Sequence, residues 1–378
     1  MQTEVLIVGG GLSGLALADH LSQQGVDFLL VEAHERLGGR ILTKTLSGGK
    51  FDLGPAWFWP GQPRLAELVR RFEIPIFEQY STGDLIYQDQ SGAVQRGRGY
   101  ASMQGSYRLS GGMGRLIDAL EAQLDYTKIL NGTRLKSVRY ETNGITAILD
   151  QNATALTVSA RKIVLAAPPR VIAETVVFEP GLTAAQLKSL QSVPTWMAGQ
   201  AKIVVVYDDP HWRNAGLSGD AMSRRGPLVE IHDASQMEGG PYALFGFVGV
   251  PPNVRDAHAG QLEKLALSQL IDLFGEEMSN PIALFFQDWA NIPEIARSED
   301  RRTRGSYPSY GLPECANELA AHGIHFSATE TAQEFGGFLE GALEAAERTA
   351  GHLHQSRPVL HPQPGSGGKA NIVDDPQC

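Results

Sequence analysis

Cysteine is nearly absent: the 378 residues contain two, Cys315 and Cys378. They could pair, but Cys378 closes a Pro- and Gly-rich tail, and one bridge cannot staple a chain this long. A disulfide scaffold is excluded, and a reducing compartment, the cytoplasm, is the expected location. No window approaches the roughly 18 uninterrupted apolar residues of a membrane span. The start, "MQTEVLIVGGG", lacks the basic region, long apolar stretch and small-residue cleavage site of a secretory leader. Positive charge is in deficit, with 32 Lys and Arg against 42 Asp and Glu, a formal net charge of −10. That argues against a non-specific nucleic-acid binder and against anionic membrane surfaces. Cys and His never fall at zinc spacing, and His352, His354 and His361 sit near the tail, so no metal site is expected. There is no G-x-S-x-G elbow and no P-loop.

What is present is ordinary globular composition, 42% hydrophobic and 20% charged, at a length suited to two or three domains. The clearest unit is "TEVLIVGGGLSGLALADHLSQQGVDFLLVEA". Residues 3–8 are apolar, glycines follow, Leu12, Leu15, Ala16 and Leu21 fall near helical spacing, and residues 26–32 form a second apolar run ending in Glu32. This predicts a strand, a glycine turn, a helix and a parallel strand. Gly9, Gly11 and Gly14 then make G-x-G-x-x-G in the context that gives the pattern meaning. Glycines let the backbone approach a pyrophosphate, whose charge meets free N–H groups at a helix N-terminus. Glu32 is placed to accept ribose hydroxyl protons and would repel a 2′-phosphate. "AHERLGGR" adds a second close approach at Gly38 and Gly39, and Arg40 offers a fork for phosphate oxygens.

Further along, residues 63–73 are predicted helical, 84–108 short strands and turns, and "LSGGMGRLIDALEAQL" a turn into a helix. Residues 133–165 suggest a small antiparallel layer, and 183–192 a helix capped by Thr183. "AKIVVVY" is dense enough in valine for a strand buried on both faces. It carries Lys202, which shares a face with Val204 and Val206. A lysine there either snorkels at the strand edge or acts.

"VGGGLSGLALADHL", "VEAHERLGGR", "FDLGPAWFWP", "GGMGRL", "KIVLAAPP", "AKIVVVYDDPHWR" and "IHFSATETAQEFGGFLEGALEAAER", in that order, resemble the flavin-containing amine oxidases, the monoamine oxidase family. The motifs run from about residue 5 to about residue 348. The resemblance implies an α/β fold: a Rossmann-like FAD-binding domain and a substrate domain of mixed sheet plus helices built from insertions. The boundaries expected are 1–74, 111–195 and 300–354 for FAD, 75–110 and 196–299 for substrate, and a tail over 355–378. It implies removal of a hydride equivalent from the carbon beside an amine nitrogen, imine hydrolysis, and reoxidation by O2 to H2O2. A dehydrogenase using another acceptor and a non-catalytic flavin protein remain open as alternatives.

Carried over residue by residue, the resemblance gives Glu32 to the ribose and Gly11, Ser13, Gly39 and Arg40 to the phosphates and turns. Gly54, Pro55, Ala56 and Trp57 match the loop beside the flavin ring, Leu135 the adenine strand, and Glu330 an acidic position near the ribityl-pyrophosphate region. Gly336 and Gly337 open the last helix, where Phe338 and Leu339 follow. A helix N-terminus aimed at the flavin would stabilise charge developing there. Lys202 matches the lysine that holds a water at the flavin edge. Tyr307 and Phe338 match the two rings between which the amine passes, although tyrosine is usual at the second. Ser306 stands where some members attach FAD through cysteine, so non-covalent FAD is expected. The helical insertion over 75–110 is short, and "DWANIPEIARSEDRRTRGSY" is longer than usual. Its charges suggest either a gate or, more simply, a solvated loop. Arg96, Arg98 and Arg108 are candidates for a substrate carboxylate or plain surface charges. Trp57, Phe58, Trp59, Phe245 and Phe247 are candidates for an apolar cavity.

Overall fold

The computed structural model describes residues 1–99, 102–141, 144–302 and 307–355. The first apolar run is the strand Gln2–Val8. The helix Leu12–Gln23 returns the chain to the parallel strand Phe28–Val31, with Val5 beside Phe28 and Val8 beside Val31. All four residues of the second strand are buried, which is why it reads as a solid apolar run rather than an alternation.

Residues 133–165 give the antiparallel strands expected, Thr133–Glu141, Gly144–Gln151 and Thr154–Leu165, but as part of a larger sheet. Thr154–Leu165 pairs antiparallel with Gly144–Gln151 through its first half. Through its second half it pairs in parallel with both Gln2–Val8 and Ile324–Phe326. The result is one eight-stranded mixed sheet. The sequence changes character where the strand changes role: "TALTVSAR" alternates and has one covered face, whereas Ile163, Val164 and Leu165 are fully buried. The helix Leu339–Gln355 lays Ala342, Leu343, Ala346 and Ala350 against Leu12, Leu15 and Ala16 of the first helix. Its small side chains allow close approach. Thr183 and Gln186 form a reciprocal capping box at the start of Ala184–Ser192.

A second sheet has seven strands in the order Ala283–Asp288, Ala201–Tyr207, Tyr242–Val248, Leu228–Asp233, Leu217–Ser223, Asp84–Gln88, Val94–Gly97. Ala201–Tyr207 is an interior strand with every residue buried. Val204 and Val206 pack with Phe51, Leu53 and Phe245 on one face. Ile203, Val205 and Tyr207 pack with Leu262, Ala266 and Leu270 of the helix Leu262–Phe274 on the other. Trp212 belongs to this core; its indole N–H donates to Asp233, which also receives Arg213.

The long charged link after Trp289 is not a solvated loop over its described part. Trp289 donates its indole N–H to the Leu53 carbonyl at 3.2 Å, Asp300 is buried against Arg170, and Arg301 pairs with Asp256. Among the described residues no helix is long and apolar enough to cross a membrane.

Candidate active site

A cavity of about 340 Å³ starts at the C-terminal end of the first strand and extends to the second sheet. Gly9, Gly11, Ser13, Glu32, Gly39 and Arg40 line its first part, with Leu135 beside them. Gly14 does not line it. A Cβ on Gly14 would sit 1.9 Å from the Gly9 carbonyl oxygen, so this glycine serves the contact of helix on strand. A Cβ on Gly11 would meet nothing closer than the Gly39 Cα at 4.0 Å. Gly11 and Gly38 share an isolated parallel bridge, so the two glycine turns form facing banks of one channel. Gly11 also precedes the helix Leu12–Gln23, and no side chain caps that end. Its first N–H groups and the positive end of its dipole are therefore available to an anion.

Glu32 follows the strand Phe28–Val31 and is buried. Its Oε2 accepts the Gly10 N–H at 2.7 Å and its Oε1 the His34 N–H at 2.9 Å. The carboxylate is thus oriented, and each oxygen keeps acceptor capacity for a hydroxyl. The strand pairing slips after Leu135, a bulge that breaks the ladder beside the cavity. Ser13 lines the cavity, but its hydroxyl is engaged by the Ser327 carbonyl and the Ser327 hydroxyl. In the structure it ties the helix to the segment after Ile324–Phe326.

The sequence set Arg40 at the phosphates and Glu330 near the ribityl-pyrophosphate region, without pairing them, and the structure joins them. Arg40 Nη1 and Nη2 donate to the two Glu330 oxygens at 2.6 and 3.1 Å, and Nη1 also reaches the Trp196 carbonyl at 3.4 Å. Burial disfavours the Arg40 charge, but the Glu330 carboxylate outweighs that and holds the guanidinium above its ordinary pKa. Glu330 is fully buried behind Arg40 and does not line the cavity. Of five guanidinium N–H donors, three are engaged by these partners, which leaves two for an anion.

At the other end, Gly54, Pro55, Ala56, Trp57, Lys202, Gly337, Phe338 and Leu339 converge on the cavity. Gly54 is held against the chain: a Cβ would sit 1.9 Å from the Arg40 carbonyl oxygen. Its own carbonyl accepts Lys202 Nζ at 3.1 Å. Lys202 does not snorkel, being 3% exposed on an interior strand. Its ammonium lies 4.0 Å from the Phe245 ring centre, 5.6 Å from Trp57 and 6.0 Å from Phe247. No ion pair to it occurs among the described residues. Burial pushes its pKa down to about 7; Asp52 pulls it back up, and Arg108 adds to the depression. Aromatic faces thus replace a counter-ion.

The expected passage between Tyr307 and Phe338 is not there. The two rings touch, with centroids 5.8 Å apart. Trp196 packs on both, 4.8 Å from Tyr307 and 6.1 Å from Phe338. Tyr307 donates its hydroxyl to the Gly336 carbonyl and does not line the cavity. Among the other aromatic candidates, Trp59 and Phe247 line the cavity, Phe245 supports Lys202 from beneath, and Phe58 packs on Tyr107 instead. Arg108 is not a surface charge: it is buried and donates to the Ala234 and Ser235 carbonyls. Ser306 lies outside the described residues.

Residues 83–354 match the family described as flavin containing amine oxidoreductase, and residues 7–72 match an NAD(P)-binding Rossmann-like domain. The chain belongs to the flavin-containing amine oxidoreductase family. It is 22% identical to a probable flavin-containing monoamine oxidase A of Dictyostelium discoideum, covering 92% of this chain and 96% of the relative. That alignment spans 450 positions against 378 residues here, so the relative carries segments this chain lacks. A putrescine oxidase of Kocuria rosea is 22% identical over 82% of this chain and 86% of its own. A solved putrescine oxidase shares the fold at a TM-score of 0.76 and 21% identity, over 94% of this chain and 99% of that one. Cyclohexylamine oxidase of Brevibacterium oxydans does so at 0.75 and 19%, over 93% and 99%.

As a flavin-dependent amine oxidase the protein uses FAD, and the cavity suits it. An uncapped helix end between two glycine banks fits a pyrophosphate, an oriented carboxylate fits a ribose, and an apolar region at Trp57, Phe338 and Leu339 fits a ring system. Sequence reasoning missed two parts of this amine oxidase. Trp196, in "PTWMAG", packs against both members of the expected aromatic pair. Glu294 lines the nucleotide part of the cavity, paired with Arg134 and with His34 Nε2 at 3.1 Å. Inside a charge-rich run Glu294 carries no signal of its own. These pairs hold its carboxyl below the ordinary carboxylate pKa although burial opposes it. Both partners are partly exposed, so the effect is modest. Glu294→Gln is expected to speed FAD release about threefold, read by the rise of free-flavin fluorescence after dilution; an unchanged rate would remove Glu294 from FAD retention.

Proposed function

We propose that this protein oxidises a small amine at the carbon next to nitrogen, with FAD bound non-covalently and O2 as the final acceptor, yielding H2O2. The observation that carries the proposal is Lys202, a buried cation with no carboxylate partner among the described residues, aimed from the second sheet at the cavity. When bound, FAD supplies the hydride acceptor and returns the electrons to O2. The chain's residues supply the setting. Gly11, the helix end behind it and Arg40 hold negative phosphate charge, and Glu32 fixes a ribose. Trp57, Phe247 and Phe338 exclude water. Lys202 has three N–H donors and gives one to the Gly54 carbonyl, so two remain for a water or for developing negative charge.

Bleaching of the protein-bound flavin absorbance by an amine panel without oxygen tests the first half; peroxide release on admitting air tests the second. Bleaching without fast recovery in air would favour a dehydrogenase with another acceptor. No bleaching by any amine or amino acid would leave a flavin-binding protein without turnover. Serine cannot form the thioether that cysteine forms, so acid precipitation is expected to release the yellow colour into the supernatant. Colour in the washed pellet would refute non-covalent binding.

A further inference from the structure

Gln62 ends the loop that carries Trp57 and Trp59, and it is 5% exposed. It lines the cavity at the ring end, with Trp59, Leu339 and Ala342. Its carboxamide has no partner in the protein. Oε1 is buried without a hydrogen bond, and Nε2 makes none among the described residues.

The ordinary use for a side chain at this position is already filled. Gln62 precedes the helix Pro63–Arg71, but it makes no side-chain cap. Pro63 has no N–H to satisfy. Glu340, fully buried, accepts the Arg64 N–H at 3.1 Å and the Leu65 N–H at 2.9 Å. The carboxamide is therefore spare. Burying it unpaired is costly unless a ligand supplies its partners.

The group itself says what those partners are. A carboxamide sets an acceptor beside a donor. Its complement is an edge with an N–H next to a carbonyl, the chemistry by which glutamine reads a base. The pyrimidine ring of a flavin has such an edge, with N3–H between two carbonyls. The opposite edge of the ring system carries only methyl groups. An alkylammonium donates and cannot accept, so it would leave Nε2 unpaired. Lys202 likewise only donates and cannot take N3–H. Neither end of the Gln62 amide is held by protein, so a half-turn about its last bond lets it face either order of donor and acceptor.

We propose that Gln62 reads the pyrimidine edge of FAD, with its oxygen accepting N3–H and its nitrogen donating to the adjacent carbonyl. The contact fixes which way round the ring system enters the cavity. The donated N–H also stabilises negative charge that gathers on that edge on reduction. The proposal rests on the use of FAD and stands whether or not the substrate is an amine.

The test needs no amine. The full chain is loaded with FAD or with 3-methyl-FAD, in which a methyl replaces the N3 hydrogen, and release after dilution is followed by flavin fluorescence. From the parent, 3-methyl-FAD is expected to leave at least tenfold faster than FAD. Gln62→Ala, which removes the amide and leaves room for the methyl, should release both flavins at similar rates. Gln62→Glu keeps an acceptor for N3–H and loses the donor. It should keep the preference for FAD while the reduction potential of its bound flavin, read against a reference dye, falls below that of the parent. This second variant covers the case in which the alanine variant fails to fold. Equal release of the two flavins from the parent, a preference that survives in Gln62→Ala, or an unchanged potential in Gln62→Glu would overturn the proposal.

Discussion

Lys202→Met is expected to slow O2 consumption by the pre-reduced holoenzyme about a hundredfold while leaving FAD bound. Removing one preorganised charge from a water-poor site typically costs that much. Methionine is close to lysine in length and apolar, so it can keep the contacts with Phe245, Trp57 and Phe247. The parent should show a matching pH dependence. Lys202 titrates at about 7, so its charge, and with it fast reoxidation, should fade as pH rises through 7. Stability of the flavin-free protein should move the opposite way. Between pH 7 and the ordinary lysine value of 10.5 the unfolded chain binds more protons than the folded one, so stability rises with pH across that window. The substitution removes the buried-charge penalty, so the variant should be more stable than the parent at pH 6 by a margin of order a few kcal/mol, read as a higher melting temperature, and lose that advantage toward pH 10.5. Stopped-flow mixing with oxygenated buffer and thermal melts across pH check the two effects separately. Equal reoxidation rates in parent and variant would remove the role.

Lys202 shows what the sequence could and could not reveal. Its valine neighbours placed it in a buried strand, and its motif placed it near flavin. The aromatic surroundings that stand in for a counter-ion depend on Trp57 meeting Phe245 and Phe247, and Trp57 is far from that strand in the chain. The nucleotide end was legible because its chemistry is local: glycines, a helix start and Glu32 lie within 24 residues of one another. The Arg40–Glu330 pair was not, because 290 residues separate its members. The Tyr307–Phe338 expectation failed because the two rings pack on each other, with Trp196 arriving from a third segment against both. The mixed sheet was half legible. Alternation marked the antiparallel part of Thr154–Leu165, and the solid run at its end marked the parallel part, but nothing local said that one strand would do both.

The glycines of the first turn allow a sharper test, because two of them are required for different reasons. Gly14→Ala places a methyl 1.9 Å from the Gly9 carbonyl oxygen. Helix and strand must then part, so folding itself should suffer and the flavin-free protein should melt several degrees lower. Gly11→Ala is the opposite case. Its φ is −76°, ordinary for alanine, and the added methyl meets only the Gly39 Cα at 4.0 Å. The flavin-free protein should melt with the parent. The methyl nevertheless projects into the channel between the two glycine turns, where a pyrophosphate needs the backbone bare. FAD affinity should fall roughly a hundredfold, about 2.8 kcal/mol, measured by titrating the flavin-free protein and following quenching of flavin fluorescence. An unchanged affinity with an unchanged melt would mean that the phosphates do not run between Gly11 and Gly39. The assignment of the dinucleotide to this channel would fall with it, because no packing defect would be available to explain the result.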